Sequence, residues 1–186
     1  MESIIFIETE RLSLRQWKAT DLSTYISLNQ DKEVMQYFPS LLSEEKTRQH
    51  IDVIQKDIEQ DGYGLFALER KDTHSFIGFT GFAHPKFEAD FTPCIEIGWR
   101  LARDQWGMGF ATEAAKACLA YGFRTLQLSS IHSCTSVLNT RSEQVMKKIG
   151  MQKNGEFDHP LLEEGHYLQK HVLYTIYPNE FLCTRN

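Results

Sequence analysis

No apolar run in this 186-residue chain approaches the ~20 residues that span a bilayer, so no membrane partner is expected. The opening stretch MESIIFIETERL places Glu2 where a secretory leader carries its basic region, and its apolar run is too short for a leader core. Both absences predict a cytoplasmic protein. Cys94, Cys118, Cys134 and Cys183 show no C-x-x-C spacing, which argues against zinc and disulfides and for buried, reduced thiols. Basic charge is not in excess: 20 Lys and Arg against 25 Asp and Glu leave a net charge of −5, so no nucleic-acid partner is expected. A mildly acidic surface is compatible with amine or cationic substrates. No repeat and no low-complexity segment interrupts the sequence.

What is there is an ordinary globular composition, 41% apolar and 24% charged, on a length that suits one domain, here 1–186. TERLSLRQW alternates, with Leu12 and Leu14 against Arg11, Ser13 and Arg15, the period of a half-buried strand. KATDLSTYISLNQ predicts a helix capped by Thr20 or Asp21. SEEKTRQHIDVIQKDIEQ predicts a second, with Glu44 and Glu45 at its positive end and Gly62 stopping it. YGLFALER, SFIGFTGFAHP and CIEIGWRL read as an antiparallel meander. A helix from Phe110 to Phe123, the strand SSIHSCTSV, the helix NTRSEQVMKKIG and a last strand in HYLQKHVLYTIYP complete the pattern. The fold class is α+β (mixed α/β), with one sheet. Trp17 and Trp99, with the aromatics of the meander, read as core or pocket wall.

Glycine costs about 1 kcal/mol in a helix relative to alanine, yet Gly107 and Gly109 stand at the start of one, just past a strand. With no Cβ at either and a small one at Ala111, an anion can approach the free amides of a helix N-terminus. A tight turn alone accounts for the pair equally well. G-x-x-x-x-G-K-[ST] is absent, and the G-x-G lacks the third glycine and the later acid of a dinucleotide site. His159, His166 and His171 with Asp158, Glu163 and Glu164 lack metal spacing on one helix face, so no metal is expected and this stretch reads as a loop between strands.

The segment EIGWRLARDQWGMGFATEAAKACLAYGF, followed by NTRSEQVMKKIGM and opened by IETERLSLRQW, resembles the GNAT superfamily of acyl-CoA-dependent acetyltransferases, in particular its RimJ/RimL-like branch of ribosomal-protein N-terminal acetyltransferases. The resemblance runs from about Thr9 to Tyr177, a core of about 9–177. It implies a single domain with a central, mostly antiparallel twisted sheet of six to seven strands, splayed at the acetyl-CoA site, and about four flanking helices. It implies that Trp106, Gly107, Met108, Gly109, Phe110, Ala111 and Thr112 hold the coenzyme's pyrophosphate. Trp106 stands where the family has Gln or Arg, leaving the load on main-chain N–H groups. Ile97, Trp99 and Leu101 would pair with the pantetheine arm like an added strand.

Acetyl transfer to an amine needs a base, and the resemblance implies Glu96, whose carboxyl burial would make more basic; a pairing with an arginine is the other account of it. The tyrosine that many relatives use as proton donor is replaced by Met146. In the N-x-x-S pattern, Ser142 would contact the sulfur and Asn139 the pantetheine amide, while helix capping also accounts for Asn139. His159 would line the acceptor pocket and competes with Glu96 as base. His171 is expected on a strand face. The implied function is an N-acetyltransferase acting on a protein N-terminal amine or a small amine. A non-catalytic acyl-CoA-binding module and a peptide-binding sheet edge are the other readings. Substrate loops are expected at 38–42, 87–91 and 158–165, and a homodimer is left open.

Overall fold

The computed structural model describes residues 4–183, with side chains through 181. Its elements in chain order are β1 (Ile5–Glu8), β2 (Leu12–Arg15), α1 (Leu22–Gln30), α2 (Glu44–Asp61), β3 (Leu65–Arg70), β4 (Phe76–Ala83), β5 (Glu96–Leu101), α3 (Phe110–Arg124), β6 (Ile131–Ser136), α4 (Thr140–Lys148), β7 (Gln152–Asp158), β8 (Lys170–Ile176) and α5 (Pro178–Cys183). Eight strands form one sheet in the order β1-β2-β3-β4-β5-β6-β8-β7, where six to seven were expected, with five helices where about four were expected. The additions are β1, β7 and the six-residue α5. β7 carries the sequence QKNGEFD and is exposed except at Phe157, so it lacks the apolar alternation that marks a half-buried strand. The stretch read as one loop before the last strand therefore begins as an edge strand.

The local signals explain the helices that position the site. Ser43 Oγ accepts the Lys46 N–H at 3.2 Å to cap α2, and Gly62 closes it in the left-handed region, φ 76°, with its N–H on the Ile58 carbonyl. Asp21 does not cap α1 with its side chain. Instead its carboxylate accepts the Lys18 N–H of a preceding 3-10 turn and both terminal nitrogens of Arg15, at 2.7 and 2.8 Å. Arg15 Nε reaches Glu69 on β3 at 2.6 Å. Arg15 and Ser13 are thus buried, and β2 is covered on both faces, contrary to the half-buried strand that its alternation predicts.

Which helix covers which face follows from register. Residues directly opposite in a ladder share a face. Thr80 faces Trp99 and Phe82 faces Ile97 across β4 and β5, and a Cβ on Gly122 of α3 would meet the Phe82 ring at 2.9 Å, so α3 lies over the side of Ile97, Trp99 and Leu101. Phe79 faces Arg100 and Ala83 faces Glu96. The Phe79 ring lies 6.0 Å from Tyr25 of α1 and 6.3 Å from His50 of α2, so α1 and α2 lie over the side of Glu96, Gly98 and Arg100. At the centre of the sheet, β5 and β6 run parallel and pair at one position only, Glu96 opposite His132. Beyond it they splay, as expected.

Candidate active site

The splay leaves part of a strand edge without a partner. Ala102 N–H bonds to the Ile77 carbonyl, which fixes the alternation: the main chains of Gly98 and Arg100 turn toward β4, and those of Ile97, Trp99 and Leu101 turn toward the gap. The Ile97 carbonyl accepts the buried Ser133 hydroxyl at 2.9 Å, and the Leu101 carbonyl accepts the Trp106 indole N–H at 2.9 Å. Trp99 keeps both its N–H and its carbonyl without a protein partner among the described residues, the rung that an extended ligand could complete.

One loop further on, Gly107 and Gly109 adopt φ 78° and 82°, the left-handed region that glycine enters without a Cβ penalty. A Cβ built on Gly107 would meet nothing within 4 Å, so the bend is open on its outer side. The N–H groups of Phe110, Ala111 and Thr112 precede the first intrahelical bond, Glu113 N–H to the Gly109 carbonyl, and remain available at the positive end of α3. From the other side Arg11, on the turn between β1 and β2, donates to the Met108 carbonyl at 3.0 Å and to Glu113 at 2.6 Å, which holds the bend in place. Trp106 has lost the polar side chain expected of that position, but it gathers two others: the guanidiniums of Arg103 and Arg141 stand 5.1 and 4.8 Å from its ring. Arg103 is paired with Glu33, whereas Arg141 has no ion-pair partner among the described residues. Open amides, a left-handed bend and an unpaired guanidinium at the first turn of α4 fit a diphosphate.

Glu96 is half-buried on the face opposite α3. Its Oε1 accepts the Cys134 N–H and the Cys134 thiol, both at 3.2 Å, and Oε2 meets no protein donor. Among the described residues no arginine pairs with it. Desolvation pushes its carboxyl above the ordinary 4.5, opposed by the two bonds from Cys134. Cys134 itself is held as a thiol, since burial and the neighbouring carboxylate push it up; Cys94 rises to about 11 through burial, and the buried Cys118 rises too. These three are free cysteines, Cys94 and Cys134 only partly buried; the Cys183 side chain lies outside the described residues.

Asn139 caps α4: its Oδ1 accepts the Ser142 N–H at 3.2 Å, and its Nδ2 donates to Thr135 Oγ1 at 3.0 Å and Ser142 Oγ at 3.1 Å. The amide is engaged within the chain except for one carbonyl lone pair. Ser142 Oγ accepts from Asn139 and keeps its own proton to donate. Met146 is 1% exposed, inside the core, so nothing there replaces the absent tyrosine. His159 sits in an aromatic cluster with Phe87 at 4.7 Å, His171 at 4.8 Å and Phe157, and the ladders through β6 and β8 put His171 and Phe157 on the sheet face of Glu96. Burial, then the His171 charge, lower its pKa, so its ring is neutral near pH 7. Three groups escaped the sequence reading: Cys134, which orients Glu96; Arg11, which braces the loop; and Arg100, two residues from Gly98 on the Glu96 face.

Comparison with known proteins shows the family and the fold. Residues 11–152 match the family model described as an acetyltransferase (GNAT) domain. The chain is 35% identical over 144 residues to the uncharacterised protein YkkB of Bacillus subtilis, covering 77% of this chain and 83% of that one. It is 30% identical over 177 residues to the uncharacterised N-acetyltransferase YoaA of the same organism, covering 94% and 98%. A crystal structure of a GNAT-family acetyltransferase from Bacillus anthracis superposes with a TM-score of 0.79 at 29% identity, covering 95% of this chain and all of that one. The chain belongs to the GNAT acetyltransferase family. At 20% and 18% identity, a Vibrio cholerae spermidine N-acetyltransferase in complex with CoA and spermine (TM-score 0.72; 94% and 99% covered) and a Vibrio fischeri ribosomal-protein-S5-alanine acetyltransferase (0.74; 96% and 98% covered) share the fold.

Proposed function

We propose that this acetyltransferase moves the acetyl group of acetyl-CoA to a primary amine, by direct attack in a ternary complex, with Glu96 as general base. The observation that carries the reading is the juxtaposition at β5: an unpaired Trp99 rung on the gap side and a desolvated carboxylate at Glu96, one strand away from an open glycine bend. Bound acetyl-CoA supplies the thioester under attack. The residues that would hold it are the amides of 107–112, Arg141 and the Trp99 main chain. Glu96 Oε2, the oxygen free of Cys134, takes the proton that the acceptor nitrogen must lose. The Trp99 N–H, fixed by the ladder to β4, is presented to the oxygen on which negative charge develops. The Ser142 hydroxyl donates to the departing sulfur.

The fold is shared with enzymes named for polyamines and for ribosomal proteins, and the RimJ/RimL-like motif of Asn139 and Ser142 supports the latter branch. The test is thiol release from acetyl-CoA with a panel of peptide N-termini and small amines. Release that depends on the amine supports the reading; CoA binding without turnover of any amine refutes it.

A further inference from the structure

Among the described residues, one buried side-chain nitrogen or oxygen has no hydrogen-bond partner: Nε of Arg100. The other arginines that fold inward have acids. Arg15 meets Asp21 and Glu69, and Arg70 meets Asp72. Arg100 has no carboxylate partner among the described residues. Its Nη1 donates to the Asn29 side-chain Oδ1 at 2.7 Å, and its guanidinium lies 4.0 Å from the Phe38 ring and 5.4 Å from Phe79. The groups around it add no negative charge. Tyr25 is held neutral by burial, and its hydroxyl is bonded to His50 at 2.6 Å. His50 is pushed down to about 4 by burial, by Arg100 and by Lys86, so it too is neutral. Burying a cation without an anion is among the least favourable arrangements a fold can keep.

The guanidinium edge that remains is the informative part. With Nη1 on Asn29 Oδ1 and Nε enclosed by the fold, Nη2 is the nitrogen left without an acceptor among the described residues, and a charge-assisted bond to a carboxylate oxygen fits it. It stands on the face of Glu96. Between the two lies Gly98, where a Cβ would meet nothing within 4 Å, so the strand surface between Glu96 and Arg100 is open. Phe38, on the segment between α1 and α2, covers the guanidinium with its ring. Four residues along a strand separate their Cα atoms by about 13 Å.

We infer that Arg100 is the anchor for a carboxylate of the acceptor, and that the acceptor is an amine bearing a carboxylate several bonds from the reacting nitrogen, as in a short peptide. The inference rests on Glu96 marking where the amine sits. A polyamine would bring like charge to Arg100 and Lys86 and is disfavoured on that face.

Matched acceptors decide it: a dipeptide with a free C-terminus, the same dipeptide amidated, spermidine, and a longer amidated peptide with an acidic second residue. The free-carboxylate dipeptide is expected to exceed its amide at least tenfold in kcat/KM. Arg100→Met is expected to bring that ratio close to one, while Arg100→Lys retains part of it. The acidic-second-residue peptide, if preferred to the dipeptide, identifies a protein N-terminus as the source of the same carboxylate. Thermal shift by each peptide reads binding without turnover, so the inference is decided even if no amine is acetylated. Because an uncompensated buried charge is replaced, Arg100→Met should melt no lower than the parent. Preference for spermidine or for the amide, an unchanged ratio in Arg100→Met, or a collapsed fold in that variant with Arg100→Lys showing an intact ratio would each overturn it.

Discussion

Replacing Gly107 by alanine separates backbone strain from ligand contact, because the chain provides its own control. Gly107 and Gly62 have nearly the same conformation, φ 78° and 76°, and a Cβ at either meets nothing within 4 Å. Forcing an L-residue into the left-handed region costs about 1–2 kcal/mol at each. For a chain of this size that is a melting temperature lower by roughly 2–8 °C, equal in the two variants. Only Gly107 lies beside the open amides of the bend; Gly62 ends α2. A methyl group at 107 occupies the space through which a phosphate oxygen reaches the N–H groups, and relaxation out of the left-handed region turns them away. Losing one charge-assisted hydrogen bond costs about 1.5–3 kcal/mol, or roughly 10- to 150-fold in the dissociation constant of CoA. Calorimetry with CoA, alongside melting curves, measures both quantities. Equal CoA affinities in Gly107→Ala and Gly62→Ala would refute the assignment of the bend to the diphosphate.

Glu96→Gln should lower kcat by about 10²–10⁴-fold with CoA affinity unchanged, checked by steady-state kinetics and calorimetry. Desolvation raises the Glu96 pKa in the folded chain, so the acid limb of the rate profile should have its midpoint above 4.5 and vanish in the glutamine variant. The same sign governs stability: a raised folded pKa favours folding below the unfolded value and loses that contribution as pH rises through the folded one, so Glu96→Gln should not lower the melting temperature at pH 7. Asp21→Asn leaves the buried Arg15 with a weakened partner and should cost about 3–5 kcal/mol in denaturant unfolding, with little change if the pair is dispensable.

The parts of this fold that the sequence announces are those where one residue decides one local event. Gly62 ends α2 as expected, with Ser43 capping its start, and the runs YGLFALER, SFIGFTGFAHP and CIEIGWRL become the meander of β3 to β5. Glycines 107 and 109 mark the bend because no other residue takes that conformation cheaply. What escaped depends on distant segments. β7 is a strand through its ladder to β8 and carries no apolar pattern of its own. Ser13 and Arg15 look solvent-facing until Asp21 and Glu69 are folded against the arginine. Arg100 is plain in CIEIGWRL, alternating with Glu96, but that Asn29 and Phe38, not an acid, would surround it is a fact of tertiary packing. At Glu96 the sequence allowed either a base or half of an ion pair, and the ladder to β6 supplied Cys134 as its neighbour.

The single rung between β5 and β6 has a further consequence. Sheets usually carry their unsatisfied backbone at the outer strands, where another polypeptide can dock and propagate an aggregate. Here the vacant rung at Trp99 is enclosed between two halves of one sheet, while β7, one of its two outer strands, is broken by a bulge and lined with Lys153, Glu156 and Asp158. That rung is thereby presented inside the sheet, to a ligand slender enough to enter the gap, and not at its rim.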